Sequence, residues 1–247
     1  MTPAPVGHHC PTCVGEARRS APRLRPLLPR PRSAATALIA ANVALFVIDA
    51  IFRAAGRGSL LELGAMVPVL VAQGEWYRLV TAMFLHIGLF HLLLNSFAIY
   101  VFGSLIEQVL GTVRFLAVYL LTGFAAGAVS FAFGSPDRAA VGASGAVFGL
   151  LGAWLVYNLR RRSLSLGRAN VQWALMLIGI NLVFGLVVPR IDWLAHLGGL
   201  VAGVVAGYVA EGIGRRTVRT ASQVAGLTLL LVGAAALAAW RAAALTA

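Results

Sequence analysis

The sequence has no lysine and few acids: eight Asp and Glu stand against twenty basic residues, every one an arginine, in 247 residues. Charged residues make up 11% of the chain and hydrophobic residues 60%, whereas soluble domains carry about a quarter charged residues. A surface held wholly in water is therefore excluded, and the chain needs lipid as its solvent. Two cysteines, Cys10 and Cys13, are too few for a disulfide framework. The N-terminal segment is rich in Pro and Arg and lacks a short apolar core before a small-residue cleavage site, so it does not read as a signal peptide. The net charge of +12 would suit nucleic acid. However, the arginines lie between apolar runs and form no stripe with interleaved aromatics, so no nucleic-acid partner is expected. Alternation of apolar and polar residues is also missing, which excludes a membrane barrel.

What the chain does have is long apolar runs. Residues 1–33 form a Pro/Arg-rich segment without a core, expected to be disordered. From residue 34 to 245 the apolar runs follow one another at about 34–53, 88–106, 113–133, 143–159, 170–188, 192–210 and 222–241, each read as a span of about 20 residues. The expected fold class is an all-α polytopic membrane protein. Arginines precede the first span (Arg18, Arg19, Arg23, Arg25, Arg30, Arg32). They recur between spans two and three (Arg114), four and five (Arg160, Arg161, Arg162, Arg168), and six and seven (Arg215, Arg216, Arg219). The positive-inside rule then expects a multi-pass protein of the cell membrane with a cytoplasmic N-terminus and an extracytoplasmic C-terminus. Residues 54 to 87 are too apolar for a polar loop and are broken by Gly64, Pro68 and Gly74. An interfacial or re-entrant segment is expected there.

With this topology spans two, four and six begin on the outer side. Their first turns carry His91 and Asn95, then Ser144, then His196. Polar groups at membrane depth are costly, so four of them at one depth on three helices are functional candidates. Each has a plain alternative: a packing serine bonded back to its own helix, an interfacial histidine, or an interhelical asparagine. Together they suit acyl transfer. A serine hydroxyl needs a base to take its proton, and a neutral histidine serves. The oxyanion needs fixed donors, which His91, Asn95 and the backbone N–H at a helix start can supply. Ala146 stands where an esterase elbow wants its second glycine, so the motif is a different one. Asp192 is the acid nearest His196 in sequence, and it reads either as a cap of the sixth helix or as a third member; a Ser–His dyad is the simpler reading. Gly145 and Gly149 on span four, and Gly199, Gly203 and Gly207 on span six, repeat every four residues, a spacing that lets two helices approach closely.

The sequence Gly142-Ala143-Ser144-Gly145, the run Ala195-His196-Leu197-Gly198-Gly199 continuing to Gly203, and the series His86, His91, Asn95 resemble the rhomboid intramembrane serine proteases in a bacterial, seven-helix form. Trp76-Tyr77-Arg78 in the external segment is similar to that family's Trp-Arg element, and Glu107 falls where it has a helix-end glutamate. The resemblance covers about residues 34 to 245. It implies a six-helix core with a seventh, C-terminal span, Ser144 as nucleophile, His196 as general base and acid, and His91 and Asn95 as oxyanion donors. Arg78, His86, Glu107, Gly142, Gly145, Gly199 and Gly203 would be structural. The fifth span would be a mobile gate, and the loop from Val187 to Ile191 would cap the site. Substrates would be single-span membrane proteins cut near their outer boundary, with no cofactor and no catalytic metal. Phe148 stands where many members have Tyr; its ring is expected to pack under the His196 imidazole. The seventh span is expected to be peripheral.

Two further readings stay open at this point. His8, His9, Cys10 and Cys13 resemble either half a zinc site or an unliganded cytosolic pair. A non-catalytic relative that binds or escorts membrane helices is the alternative to a protease. A small transporter is disfavoured, because the spans show no inverted repeat.

Overall fold

The computed structural model describes residues 2–3, 8–10, 12, 33–188, 191–212 and 216–246. Seven main helices organise them: α1 (Ala34–Ala54), α2 (Leu89–Leu110), α3 (Thr112–Phe133), α4 (Ser144–Leu159), α5 (Ser165–Val187), α6 (Trp193–Glu211) and α7 (Arg216–Thr246). Six are long and apolar enough to cross a bilayer; α4 is not. At 16 residues it is about 24 Å long, less than the roughly 30 Å of a hydrocarbon core. The apolar run at 143–159, read as a full span, is therefore a short central helix. Among the described residues the strands are a two-residue pairing of Thr2–Pro3 with His8–His9. The fold is that of an all-helical multi-pass membrane protein.

Helix ends differ from the sequence boundaries in an informative way. α5 begins at Ser165 rather than near 170, and α7 runs from Arg216 to Thr246 rather than 222 to 241. Apolar runs mark the part of a helix that lies in lipid; the polar turns beyond it remain helical but carry no hydropathy signal. α2 contains a π turn at Ile99–Gly103. The Ser33 side chain caps α1 by accepting from Thr36 N at 3.1 Å, with Thr36 Oγ1 accepting from Ser33 N in return. Glu107, near the end of α2, completes that cap from a distance. Its two oxygens accept from Ala34 N and Ala35 N at 2.9 and 3.1 Å, and its Oε1 also accepts from Thr112 Oγ1. One carboxylate so joins the starts of α1 and α3.

α4 is the axis of the bundle, buried without interruption from Gly145 to Ala153. α6 lies along one side of it. A Cβ on Gly199 would sit 2.0 Å from Gly145 O, and one on Gly203 2.1 Å from Gly149 O. The four-residue glycine repeats of the two helices are thus in register, backbone against backbone. α3 packs on another side, where Ala126 and Thr122 fill the space that side chains on Gly145 and Gly149 would need. At the end of α4 away from Ser144, Arg160 and Arg161 both pair with Glu211 at the end of α6 (2.9 Å for Arg160), and their guanidinium groups lie over Tyr208 and Tyr157.

The segment between α1 and α2 is embedded and built from short helices at Leu60–Gly64, Pro68–Ala72 and Arg78–Thr81, followed by a 3-10 turn at Ala82–Phe84. Asp49 of α1, 3% exposed, fixes its start by accepting from Ser59 Oγ and Leu60 N at 2.6 and 2.7 Å. Arg78, 4% exposed, fixes its middle: Nε donates to Glu75, and Nη1 donates to the carbonyls of Glu62 and Ala65. Met66 pairs with Ala140 through two backbone hydrogen bonds of 3.0 and 2.9 Å, tying this segment to the loop before α4. α7 is less peripheral than its lack of polar residues near the site suggests. Its Ala234, Ala238 and Ala242 join Met66 and Val71 in one apolar cluster, so it braces the embedded segment.

The segment at residues 1–33 lies almost entirely outside the described residues, as do its arginines and Cys13; Cys10 is described and exposed. Of the loop expected to cap the site, residues 189–190 also lie outside them.

Candidate active site

Ser144 is the first residue of α4, and it is half-buried. No side chain caps this helix start, so its first N–H groups keep free donor capacity. The preceding turn needs Gly142. Its φ of +121° is left-handed backbone, its N–H donates to Ala82 O at 2.9 Å, and a Cβ there would lie 2.6 Å from His91 Cε1. The His91 ring therefore rests directly on the turn that leads into Ser144. His91 and Asn95 occupy one face of α2, and Asn95 Nδ2 donates to His91 O at 2.9 Å. The His86 ring stands 5.2 Å from that of His91 and is 3% exposed.

His196 comes to the same place from α6. It is 9% exposed, and its ring lies flat on Phe148 with centroids 4.3 Å apart and planes 11° from parallel. Phe148 is one turn along α4 from Ser144. The Gly145–Gly199 contact beside it is close enough that the position of a Gly145 Cβ is also only 3.5 Å from Ala195 O. Ser144, His91, Asn95 and His196 are thus gathered from three helices. Among the described residues the site's hydrogen bonds are those of Gly142, Asn95 and Asp192; none joins Ser144 Oγ to His196. His196 Nδ1 is buried without a partner. Stacking, rather than an acid, orients the ring. Asp192 takes the capping role: Oδ1 accepts from Ala195 N at 3.0 Å and Oδ2 accepts from Ser130 Oγ at 2.5 Å. Beside Ser144 lies a cavity of about 40 Å³ whose wall includes Met66, Gly127, Ser130, Gly145 and Asp192. Such a space admits a small side chain or a few waters.

A family model for the Rhomboid domain matches residues 73–212, which contain Ser144, His196, His91, Asn95, Ser130 and Asp192. This chain belongs to the rhomboid family. It is 43% identical over 148 residues to "Rhomboid protease GluP" of Bacillus subtilis (strain 168), an alignment covering 60% of this chain and 29% of that protein. It is 37% identical over 139 residues to "Putative rhomboid protease YdcA" of the same organism, covering 56% and 69%. It is 38% identical over 160 residues to "RHOMBOID-like protein 6, mitochondrial" of Arabidopsis thaliana, covering 64% and 52%. The matched part spans under a third of GluP and about half of the Arabidopsis protein.

In this rhomboid chain the residues singled out from sequence fall into two sets. Gly142 and His91 touch at the turn into Ser144, Asn95 lies one turn along α2 from His91, and His196 stacks on Phe148 one turn from Ser144, with Gly145 and Gly199 forming the helix contact beside them and Gly203 extending that contact one turn deeper. Arg78 and Glu107 stand apart, at the embedded segment and at the far ends of α1–α3. Ser130 was missed. It sits one turn before the end of α3, 5% exposed, with its hydroxyl on Asp192 at the start of α6. A hydroxyl in that otherwise apolar turn was the signal.

Proposed function

We propose that this protein is an intramembrane serine endopeptidase that uses Ser144 and His196 as a dyad. The observation that carries the reading is the meeting of α4 and α6 at Gly145 and Gly199, with His196 stacked on Phe148 one turn from Ser144. His196 takes the proton of Ser144 Oγ as that oxygen attacks the scissile carbonyl. The new C–O bond makes a tetrahedral oxyanion. The His91 ring, Asn95 Nδ2 and the uncapped N–H groups at the start of α4 receive its charge. Collapse breaks the C–N bond, and His196 gives its proton to the leaving amine. Water then repeats the sequence on the acyl-enzyme, again with His196 as base, and restores Ser144. The small cavity supports a preference for a small residue at the cut.

The substrate is a transmembrane segment of a single-span protein, cut near the outer boundary. Lateral entry is supported by the apolar faces that α2 and α5 leave uncovered. Leu89, Phe90 and Leu93 on α2, and Val183, Phe184 and Val187 on α5, are all more than half exposed. Deeper in the membrane Phe102 of α2 joins an apolar cluster with Leu151 of α4 and Ala174 and Ile178 of α5; the exposed side chains named above lie at the opposite ends of α2 and α5 from it. Opening α5 at that end would widen the passage. By the positive-inside rule the arginines of the α4–α5 connection support a cytoplasmic loop there and a site toward the outer leaflet.

Purified protein in detergent tests the reading with a fluorophosphonate probe and a fluorescent single-span substrate. The unaltered chain is labelled and cleaves; Ser144→Ala and His196→Ala do neither. Full cleavage by Ser144→Ala would end the proposal. Tight binding of several substrates with no cleavage by the unaltered chain would favour a helix-binding escort instead.

A further inference from the structure

His196 lacks the direct carboxylate partner that holds the base in a Ser–His–Asp triad, yet a carboxylate stands one turn away on its own helix. Asp192 is engaged at three points. Oδ1 accepts from Ala195 N, Oδ2 accepts from Ser130 Oγ, and its backbone carbonyl accepts from His196 N at 3.1 Å. Ser130 belongs to α3, so this hydrogen bond fastens the first turn of α6 to a different helix. The fastening lies at a tight crossing: a Cβ on Gly198 would sit 2.7 Å from Val129 Cβ, the neighbour of Ser130. Both Ser130 and Asp192 line the cavity that Ser144 lines. The pair therefore borders the nucleophile on one side and carries the base on the other.

We propose that Ser130 and Asp192 form a positioning unit for His196. Ser130 fixes the α6 start against α3, and the Asp192 charge stabilises the imidazolium that forms when Ser144 gives up its proton. This rests on the dyad reading above. The stabilisation acts through space and through the first turn of α6, in a setting that water screens poorly. The titratable groups facing His196 are Asp192 from its own helix and His91 from α2. α4 presents the Phe148 ring to it, and α3 contributes Ser130 by way of Asp192. Asp192 is thus the anion of this environment. In ground-state geometry its lone pairs are turned toward Ser130 and Ala195 N, so it does not take the proton itself.

Two substitutions separate anchoring from charge. Asp192→Asn keeps a side chain that caps Ala195 N and meets Ser130, but removes the charge. Ser130→Ala keeps the charge and removes the anchor; Ser130→Thr restores the hydroxyl. The full chain is assayed in detergent with the fluorescent single-span substrate, resolving kcat from KM between about pH 5 and about pH 8. Asp192→Asn is expected to lower kcat roughly tenfold with KM unchanged. Its acid limb moves to lower pH, because without the anion the imidazole sheds its proton more readily. Ser130→Ala lowers kcat several-fold without moving the limb, and Ser130→Thr recovers it. The proposal is overturned if Asp192→Asn matches the unaltered chain in kcat and limb. It is equally overturned if the loss lies in KM, which would make the pair a substrate contact. Should Asp192→Asn fail to fold, an unchanged kcat in Ser130→Ala overturns it and a fall rescued by Ser130→Thr upholds it. Failure of the unaltered chain both to cleave and to label would instead strike down the dyad reading beneath it.

Discussion

Adding one methyl group at Gly199 tests the helix contact on which the site depends. A Cβ there would lie 2.0 Å from Gly145 O and 2.8 Å from Gly145 C, where ordinary contact begins at 3.4 Å. Both obstructing atoms are backbone, so no rotamer change relieves them. α4 and α6 must separate by about 1.4 Å, or tilt to the same effect, to reach van der Waals distance. Overpacking of this kind costs about 1–3 kcal/mol. At roughly 2–4 °C per kcal/mol for a chain of this size, the melting temperature of Gly199→Ala falls by about 2–12 °C. The functional loss is larger than the stability loss, because Ser144 and His196 ride on the two helices being forced apart. A misplacement of about 1 Å at reacting groups costs on the order of a hundredfold in rate. The comparison is Gly233→Ala on α7, where a Cβ meets nothing within 4 Å. This second variant exchanges a helical glycine for a better helix former and is neutral or stabilising by up to about 1 kcal/mol. Thermal unfolding in detergent and the rate of fluorophosphonate labelling are measured on both. If Gly199→Ala unfolds and labels as the unaltered chain does, the glycine register does not hold the dyad together and the reasoning fails.

Phe148→Ala removes the surface on which the His196 ring lies; labelling slows by about tenfold or more, while Phe148→Tyr keeps the stack and stays within a few-fold, both read by the same probe. Glu107→Ala leaves Ala34 N, Ala35 N and Thr112 Oγ1 without their acceptor, and the loss of this cap costs about 1–2 kcal/mol, seen as a lower unfolding midpoint with labelling retained below it. A reporter fused after Thr246 that is active only outside the cytoplasm is expected to be active, and one fused in the connection between α4 and α5 silent; the reverse pattern overturns the assigned orientation.

Much of this arrangement was legible in the sequence because lipid imposes a coarse grammar. Apolar runs must be helices, and a polar group inside one stands out. His91, Asn95, Ser144 and His196 were visible on that ground alone, and the glycine repeats announced which two helices would touch. The placing of Phe148 under His196 rested on the family resemblance rather than on the glycine pattern, and the two rings do stack. What could not be read depends on partners far along the chain. The Met66–Ala140 pairing joins two segments without strand periodicity. The π turn at Ile99–Gly103 ends at Gly103, where Ala35 and Phe115 from other helices leave little room for a side chain. The hydroxyl of Ser130 stands out in its apolar turn, but its partner Asp192 lies on another helix and carries no local signal. The bracing of the embedded segment by α7 was hidden for a related reason: alanines that pack well carry no chemical signature.

The shortness of α4 explains why the embedded segment exists at all. Arg160 and Arg161, paired with Glu211, are charges too costly for the hydrocarbon core and so favour the membrane surface for the far end of α4. The whole shortfall of about 6 Å against the hydrocarbon thickness therefore falls on the Ser144 side. The backbone that leads into Ser144 must consequently run below the surface of the bilayer without helical hydrogen bonds. Non-helical backbone survives at that depth only where protein surrounds it. The embedded segment supplies that enclosure. Met66 N–H and C=O satisfy Ala140, and Ala82 O satisfies the N–H of Gly142. Arg78 in turn ties the segment's own Glu62 and Ala65 carbonyls. A helix start sunk beneath the surface and roofed by protein exposes free N–H donors to a small, largely apolar cavity that also holds the Ser130 and Asp192 side chains, instead of to lipid. Peptide hydrolysis in a membrane needs such a place, because the attacked carbonyl must find both hydrogen-bond donors and water there.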